Sequence, residues 1–317
     1  PIYFLGLPEG FFPLNQGPKS GFIMPKYGEE YIKGFFLRDF GYYFTFNDYI
    51  DLTLKGGIYT LGSWEASASS RYIKRYKFQG SLSVNYRWDV TGEKDMPNYN
   101  VAKNLSVQWS HTQDSKANPY SNFSASVNFK TSGYNRSNIN SYYDVQANAE
   151  NTTSSSVSYT QRFPDSPWSI GLSMNLTQRT KDSTLSVTLP SLNVNMSRIY
   201  PFKRKKRMGD ERWYEKISLS YSGQFNNSIS TKEYLILKSN FLTDWSNGVK
   251  HSIPINATFQ LFDHINITPS FNYTERWYFK KVNQSWDEVT NSVVRDTVGG
   301  FHRVYNYNLA VSANTTL

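Results

Sequence analysis

Along most of this chain one apolar residue alternates with one small polar residue. The clearest run is Trp168-Ser169-Ile170-Gly171-Leu172-Ser173-Met174-Asn175-Leu176. Leu82 to Trp88, Phe123 to Phe129 and Tyr305 to Val311 repeat the pattern. A period of two places every apolar side chain on one face of a strand and every polar one on the other. Many runs reach roughly nine residues or more, the length a tilted strand needs to cross a bilayer. The pattern therefore predicts an all-β protein, an antiparallel transmembrane β-barrel. Strands are expected near 33–46, 49–60, 64–76, 77–90, 104–113, 121–132, 143–150, 153–163, 167–180 and 183–199. Others are expected near 214–227, 231–243, 252–262, 265–281, 286–295 and 301–317. That makes roughly 15–16 strands of a larger barrel, with bounds good to about 2–4 residues.

Composition sharpens this picture. Aromatic residues make up 17 % of the 317 positions, and they gather at strand ends: Tyr42, Tyr43, Phe44 and Phe46 at one turn, Tyr200 and Phe202 at another. Interfacial girdles put rings at such levels, although a soluble sandwich core also uses aromatics. Mean hydropathy is −0.57, which a barrel reconciles with membrane residence because its polar lumen face offsets the lipid face. No stretch approaches the roughly 18 apolar residues of a membrane-spanning helix. Cysteine is absent, which excludes disulfides, thiolate metal sites and thiol catalysis. Net charge is +9. This suits an anionic partner such as acidic lipid or phosphorylated glycolipid, or simply solvates loops.

Little points to catalysis. His111, His251, His264 and His302 show no metal-ligand spacing, and neither a metal nor a cofactor is expected. Glu29-Glu30 and Asp210-Glu211 lie in predicted loops, and neighbours on a strand would point to opposite faces. No phosphate-cradling glycine loop or nucleophile elbow is present, so an enzyme is not expected. The densest charge, Lys203-Arg204-Lys205-Lys206-Arg207, lacks any nucleic-acid motif around it. Beside Phe202 and Trp213 it reads as a loop at the membrane surface, meeting lipid phosphates or staying hydrated.

The opening PIYFLGLPEGFFPLNQGPKSGFIMPKYG, followed by GFFLRDFGYYFTFNDYIDLTLKGGIYTLGSW, resembles the start of the barrel in the LPS-assembly outer-membrane proteins, also called organic-solvent-tolerance proteins. YIKRYKFQGSLSVNY (72–86) and WSHTQDSKANPYSNFSASVNF (109–129) extend the likeness, and it looks most like the Bacteroidetes branch. The resemblance implies an integral outer-membrane translocon for lipopolysaccharide. A periplasmic jelly-roll receives the glycolipid from a periplasmic bridge protein, and a lipoprotein plugs the barrel. Lipid A then leaves through a lateral gate between the first and last strands, with no bond made or broken. Residues 1–317 would be the N-terminal and middle part of that barrel, with the jelly-roll and the final strands absent. Prolines in the family's first strands weaken pairing at the gate, which makes Pro25 the leading gate candidate, followed by Pro8 and Pro13. Expected partners are lipopolysaccharide, the plug lipoprotein, the bridge protein and membrane lipids, with no nucleic acid. A passive pore or nutrient-receptor barrel is the alternative.

Overall fold

A computed structural model describes residues 3–7, 10–14, 19–131, 133–134, 152–180, 182–204, 209–241, 243–261, 265–288 and 291–315. The strand expected at 143–150 lies outside the described residues. The strands are β1 (Tyr3–Leu7), β2 (Gly10–Leu14), β3 (Gly21–Ile23), β4 (Lys26–Glu30), β5 (Gly34–Asn47), β6 (Ile50–Tyr59), β7 (Trp64–Lys74), β8 (Phe78–Thr91) and β9 (Asn100–Gln113). They continue as β10 (Ser121–Lys130), β11 (Thr152–Arg162), β12 (Trp168–Arg179), β13 (Thr184–Ile199), β14 (Ser218–Lys232), β15 (Ser246–Asn256), β16 (Phe259–Leu261), β17 (Ile265–Asp287) and β18 (Ser292–Thr315). The protein is all-β, and two short 3-10 turns, Trp213–Lys216 and Glu233–Lys238, complete the regular structure among the described residues.

The chain forms two compact units, 1–117 with 126–151, and 118–125 with 152–317. In the first, neighbouring strands run in the order β9, β8, β7, β6, β5, β3, with β4 beside β3 on β5. The small hairpin β1–β2 pairs with itself. In the second the order is β11, β12, β13, β14, β15, β17, with β16 and β18 both on β17. Pairing in each unit is antiparallel.

Register carries the sequence alternation from strand to strand. Leu54 faces Ala68, Ala68 faces Val84, and Val84 faces Val107 across β6 to β9. Their neighbours Lys55, Ser67, Asn85 and Ser106 line the other face. Where the apolar set changes parity, a β-bulge restores it, because one extra residue moves every later side chain to the opposite face. In β5 the apolar positions are Phe35 and Leu37, then Phe40, Tyr42, Phe44 and Phe46. The register against β6 shifts between Leu37 and Phe40. In β13 they are Leu185 and Val187, then Leu192, Val194 and Met196, and the shift falls between Thr188 and Ser191.

Burial is inverted relative to a water-soluble domain. Lys33, Arg87, Asp89 and Asn104 are buried, while Phe22, Leu54, Ile58, Trp64, Leu82 and Leu172 are exposed. Charged residues are normally the exposed ones, and contiguous exposed apolar surface marks contact with a partner or a membrane. One end of the β12–β14 face departs from this rule: Leu185 and Val187 are buried there, and the turn Glu233–Lys238 lies against β13 and β14.

An aromatic belt crosses the second unit. Trp168 meets Tyr221 at 5.7 Å between ring centroids, Tyr221 meets His251 at 6.0 Å, His251 meets Trp277 at 4.2 Å and Trp277 meets Phe301 at 5.8 Å. Perpendicular register would carry Trp168 through Met196, Tyr221, Ile253 and Tyr273 to Tyr307, so the belt drifts from Tyr307 to Phe301. That drift is about 20 Å along the strands over about 24 Å of lateral spacing, which matches a level line across strands tilted by roughly 40°.

Several expected elements fall elsewhere. No separate strand starts near 231: β14 runs on to Lys232 and is followed by the 3-10 turn Glu233–Lys238, and β15 begins at Ser246 rather than near 252. The strands expected at 286–295 and 301–317 are not separate: one strand, β18 (Ser292–Thr315), takes in most of both and pairs with β17, which itself runs on to Asp287.

Candidate functional site

The first strand of the large sheet is broken. β3 and β4 both pair with β5, with Ile23 opposite Gly41 and Lys26 opposite Arg38. The register is continuous across the gap, so Met24 and Pro25 fall opposite Phe40 and Asp39 without laddering. Proline has no N–H to give to a ladder, so a central pairing fails at that position. Asp39 compounds the defect. Its φ is +60°, a left-handed conformation that costs a non-glycine residue about 1–2 kcal/mol, and it sits at the β5 bulge. Thus both strands of this seam are irregular at one level. The bond across it is an ion pair, Lys26 Nζ to Asp39 Oδ2 at 3.1 Å, with side chains 69 % and 31 % exposed. Such a pair contributes little, roughly 0–1 kcal/mol.

The far end of the same hairpin is pinned. Lys33, in the turn after β4, donates its ammonium to Asp89 Oδ1 on β8. Asp89 Oδ2 accepts from Asn104 Nδ2 at 2.9 Å, and Arg87 reaches both Asp89 at 3.3 Å and Glu65 at 3.4 Å. Tyr59 donates its hydroxyl to Glu65 at 3.4 Å, and its ring lies 5.3 Å from the Lys33 ammonium. Two cations thus meet two carboxylates. Lys33, Arg87 and Asp89 are each buried, at 3 %, 3 % and 4 % exposure, where charge persists only when paired. Backbone bonds add to the hold, from Leu61 N–H to Lys33 O and from Thr60 N–H to Phe35 O. The hairpin is therefore held at its Lys33 end and weakened at Pro25. Sequence reasoning singled out Pro25 but missed Lys33. Arg87 and Asp89, two apart on one strand face, were the visible trace of the cluster.

Of the other gate candidates, Pro13 lies in β2 opposite Phe4, in a two-stranded sheet separate from the one this seam belongs to, and Pro8 lies outside the described residues. In the basic run, Lys205, Lys206 and Arg207 lie outside them as well. Arg204 forms a fork with Glu215, Nε to Oε1 at 2.7 Å and Nη2 to Oε2 at 3.0 Å. The backbone N–H groups of Arg204 and Arg212 also donate to that carboxylate, at 3.1 and 2.8 Å. Glu215 is buried. The Arg204 guanidinium, then the Arg212 amide, pull its carboxyl from the usual 4.5 down to about 2. Arg204 thus closes the loop on itself, and Lys203 stands 5.5 Å from the Tyr200 ring. Among the described residues no three His, Asp or Glu side chains converge to hold a metal ion.

The whole sequence, residues 1–317, matches the family described as LptD protein. No curated protein matches the chain.

Proposed function

The chain belongs to the LptD protein family, a lipopolysaccharide-transport family of the outer membrane, and from that footing we propose that its first strand forms one wall of a lateral gate. The family is one of transport and assembly rather than catalysis, with lipopolysaccharide as cargo and other transport components as partners. The finer reading is that lipid A enters the outer leaflet sideways past β3 and β4 while the sugars stay in a polar lumen. A plug lipoprotein and a periplasmic bridge protein complete the assembly in this reading.

The physical need for a gate is simple. Each acyl CH₂ prefers hydrocarbon to water by about 0.8 kcal/mol, so the chains of a glycolipid resist a polar channel and the sugars resist the bilayer. A seam that parts solves both problems. In hydrocarbon an unpaired backbone group costs several kcal/mol, so a parting seam is practicable only where few ladder bonds are lost. The carrying observation is that Pro25 and the Asp39 bulge coincide at one level of the first seam.

The test replaces Pro25 with valine. A restored ladder should slow delivery of lipopolysaccharide to the cell surface while leaving the protein folded and inserted. Delivery at the normal rate in cells relying on Pro25→Val would remove Pro25 from the gate.

A further inference from the structure

Between the ends of β13, β14, β15 and β17, beside β16 and the loop that follows β13, lies a cavity of about 430 Å³. Its lining is polar and cationic. Arg198, Lys203 and Lys216 face it, together with Asn256, Gln260 and Asn266. Two carboxylates also border it, Glu211 and Glu215. Glu215 is already taken by the Arg204 fork at 2.7 and 3.0 Å, so it adds no free negative charge. Arg198, Lys203 and Lys216 take part in no ion pair among the described residues. Three cations against Glu211 leave a local excess of about two positive charges.

We propose that this cavity binds a phosphoryl group carried on a sugar. A phosphomonoester carries about −1.5 to −2 charge near neutral pH, which matches the excess. A guanidinium supplies a planar fork for phosphate oxygens and the two ammonium groups act as point charges. The side-chain amides of Asn256 and Asn266 offer the donors and acceptors that hydroxyl groups require. A bare phosphate would leave most of the space unfilled, whereas a cavity of this size suits a small ligand. The Arg204–Glu215 clamp has a part in this as well: by tying the loop to the turn Trp213–Lys216, it fixes the two segments that bring Lys203 and Lys216 to the cavity. The phosphosugar is either free or the headgroup of a glycolipid. The second source rests on the transport function proposed above.

The experiment measures binding to the full-length protein in detergent-free lipid nanodiscs at low salt. Probes are glucose 1-phosphate, glucose, and vesicles containing a phosphorylated or a dephosphorylated glycolipid. Phosphorylated probes should bind at least tenfold tighter than their unphosphorylated counterparts. The combined variant R198Q/K203Q/K216Q should abolish that preference, and K216Q alone should weaken it several-fold. Heat-modifiable gel migration confirms that each variant is folded, and K216Q serves where the combined variant is not. Tight binding of the phosphorylated vesicles alone identifies a headgroup site, and equal binding of glucose 1-phosphate identifies a site for the free sugar phosphate. Unchanged preference in K216Q and the combined variant, or no preference in the native protein, overturns the proposal. Depletion of the protein with lipopolysaccharide still reaching the surface would overturn the transport reading instead, whatever the binding result.

Discussion

Two ion pairs on one hairpin show how environment sets the worth of a charge. Asp89 sits between Lys33, Arg87 and Asn104 with its side chain 5 % exposed. Asp89→Asn would take from Lys33 and Arg87 the buried carboxylate they share, at a cost of about 3–5 kcal/mol. Lys26→Ala breaks only the exposed pair with Asp39 and should cost under about 1 kcal/mol. Urea midpoints of the two variants check this, and similar shifts would contradict it. The Glu215 clamp carries a pH signature. Its folded carboxyl titrates at about 2 against 4.5 for an ordinary glutamate. The clamp's contribution is therefore complete above about 4.5 and fades as pH falls toward 2. Amide protection at Arg204 and Arg212, corrected for the intrinsic exchange rate, should fall in that window and not between pH 5 and 8. In Glu215→Gln the protection should be low throughout. At this scale the sequence showed Pro25 plainly, because proline states its backbone consequence wherever it stands. It concealed Lys33 and Glu215, because a lone charge in a loop says nothing about what folds over it.

Strands were legible where alternation was strict. β7, β8, β12 and β13 begin and end within two residues of expectation, since a two-residue period names both the element and its faces. The failures lie where the period lapses. Tyr234-Leu235-Ile236-Leu237 is a block of apolar neighbours that no single strand face can accept, and it folds into a 3-10 turn. The β5 and β13 bulges were hidden in a change of parity that reads as noise until the register is known. The β17–β18 hairpin was divided by its polar middle, although pairing runs on to Asp287 opposite Ser292. Beyond the register shift at Tyr278 and Lys280, these two strands pair only with each other among the described residues. Among the described residues no other strand pairs with that tip, so deletion of 283–296 with a short turn in its place should leave insertion and heat-modifiable migration intact. Loss of the folded band in that deletion would show that the tip holds more of the structure than its own two strands.

For the molecule as a whole, composition and structure answer the same question from two directions. Mean hydropathy of −0.57 would suit a soluble protein, yet the exposed surface carries Leu54, Ile58, Leu82 and Leu172 while Arg87 and Asp89 are buried. Those facts agree if the apolar faces meet hydrocarbon and the polar faces meet a wet interior. The alternation made the two faces legible, and the cargo was legible only through the family likeness of the opening segments, because transport without bond chemistry leaves no catalytic motif to read. The most direct test uses the absence of native cysteine. Single cysteines at 82, 83, 84, 85 and 86 of β8, each carrying a spin label, are placed in the full-length protein in lipid bilayers. Positions 82, 84 and 86 should collide with oxygen dissolved in lipid, and positions 83 and 85 with a water-soluble nickel complex. The same accessibility at all five, or alternation in the opposite phase, would contradict a lipid-facing apolar side.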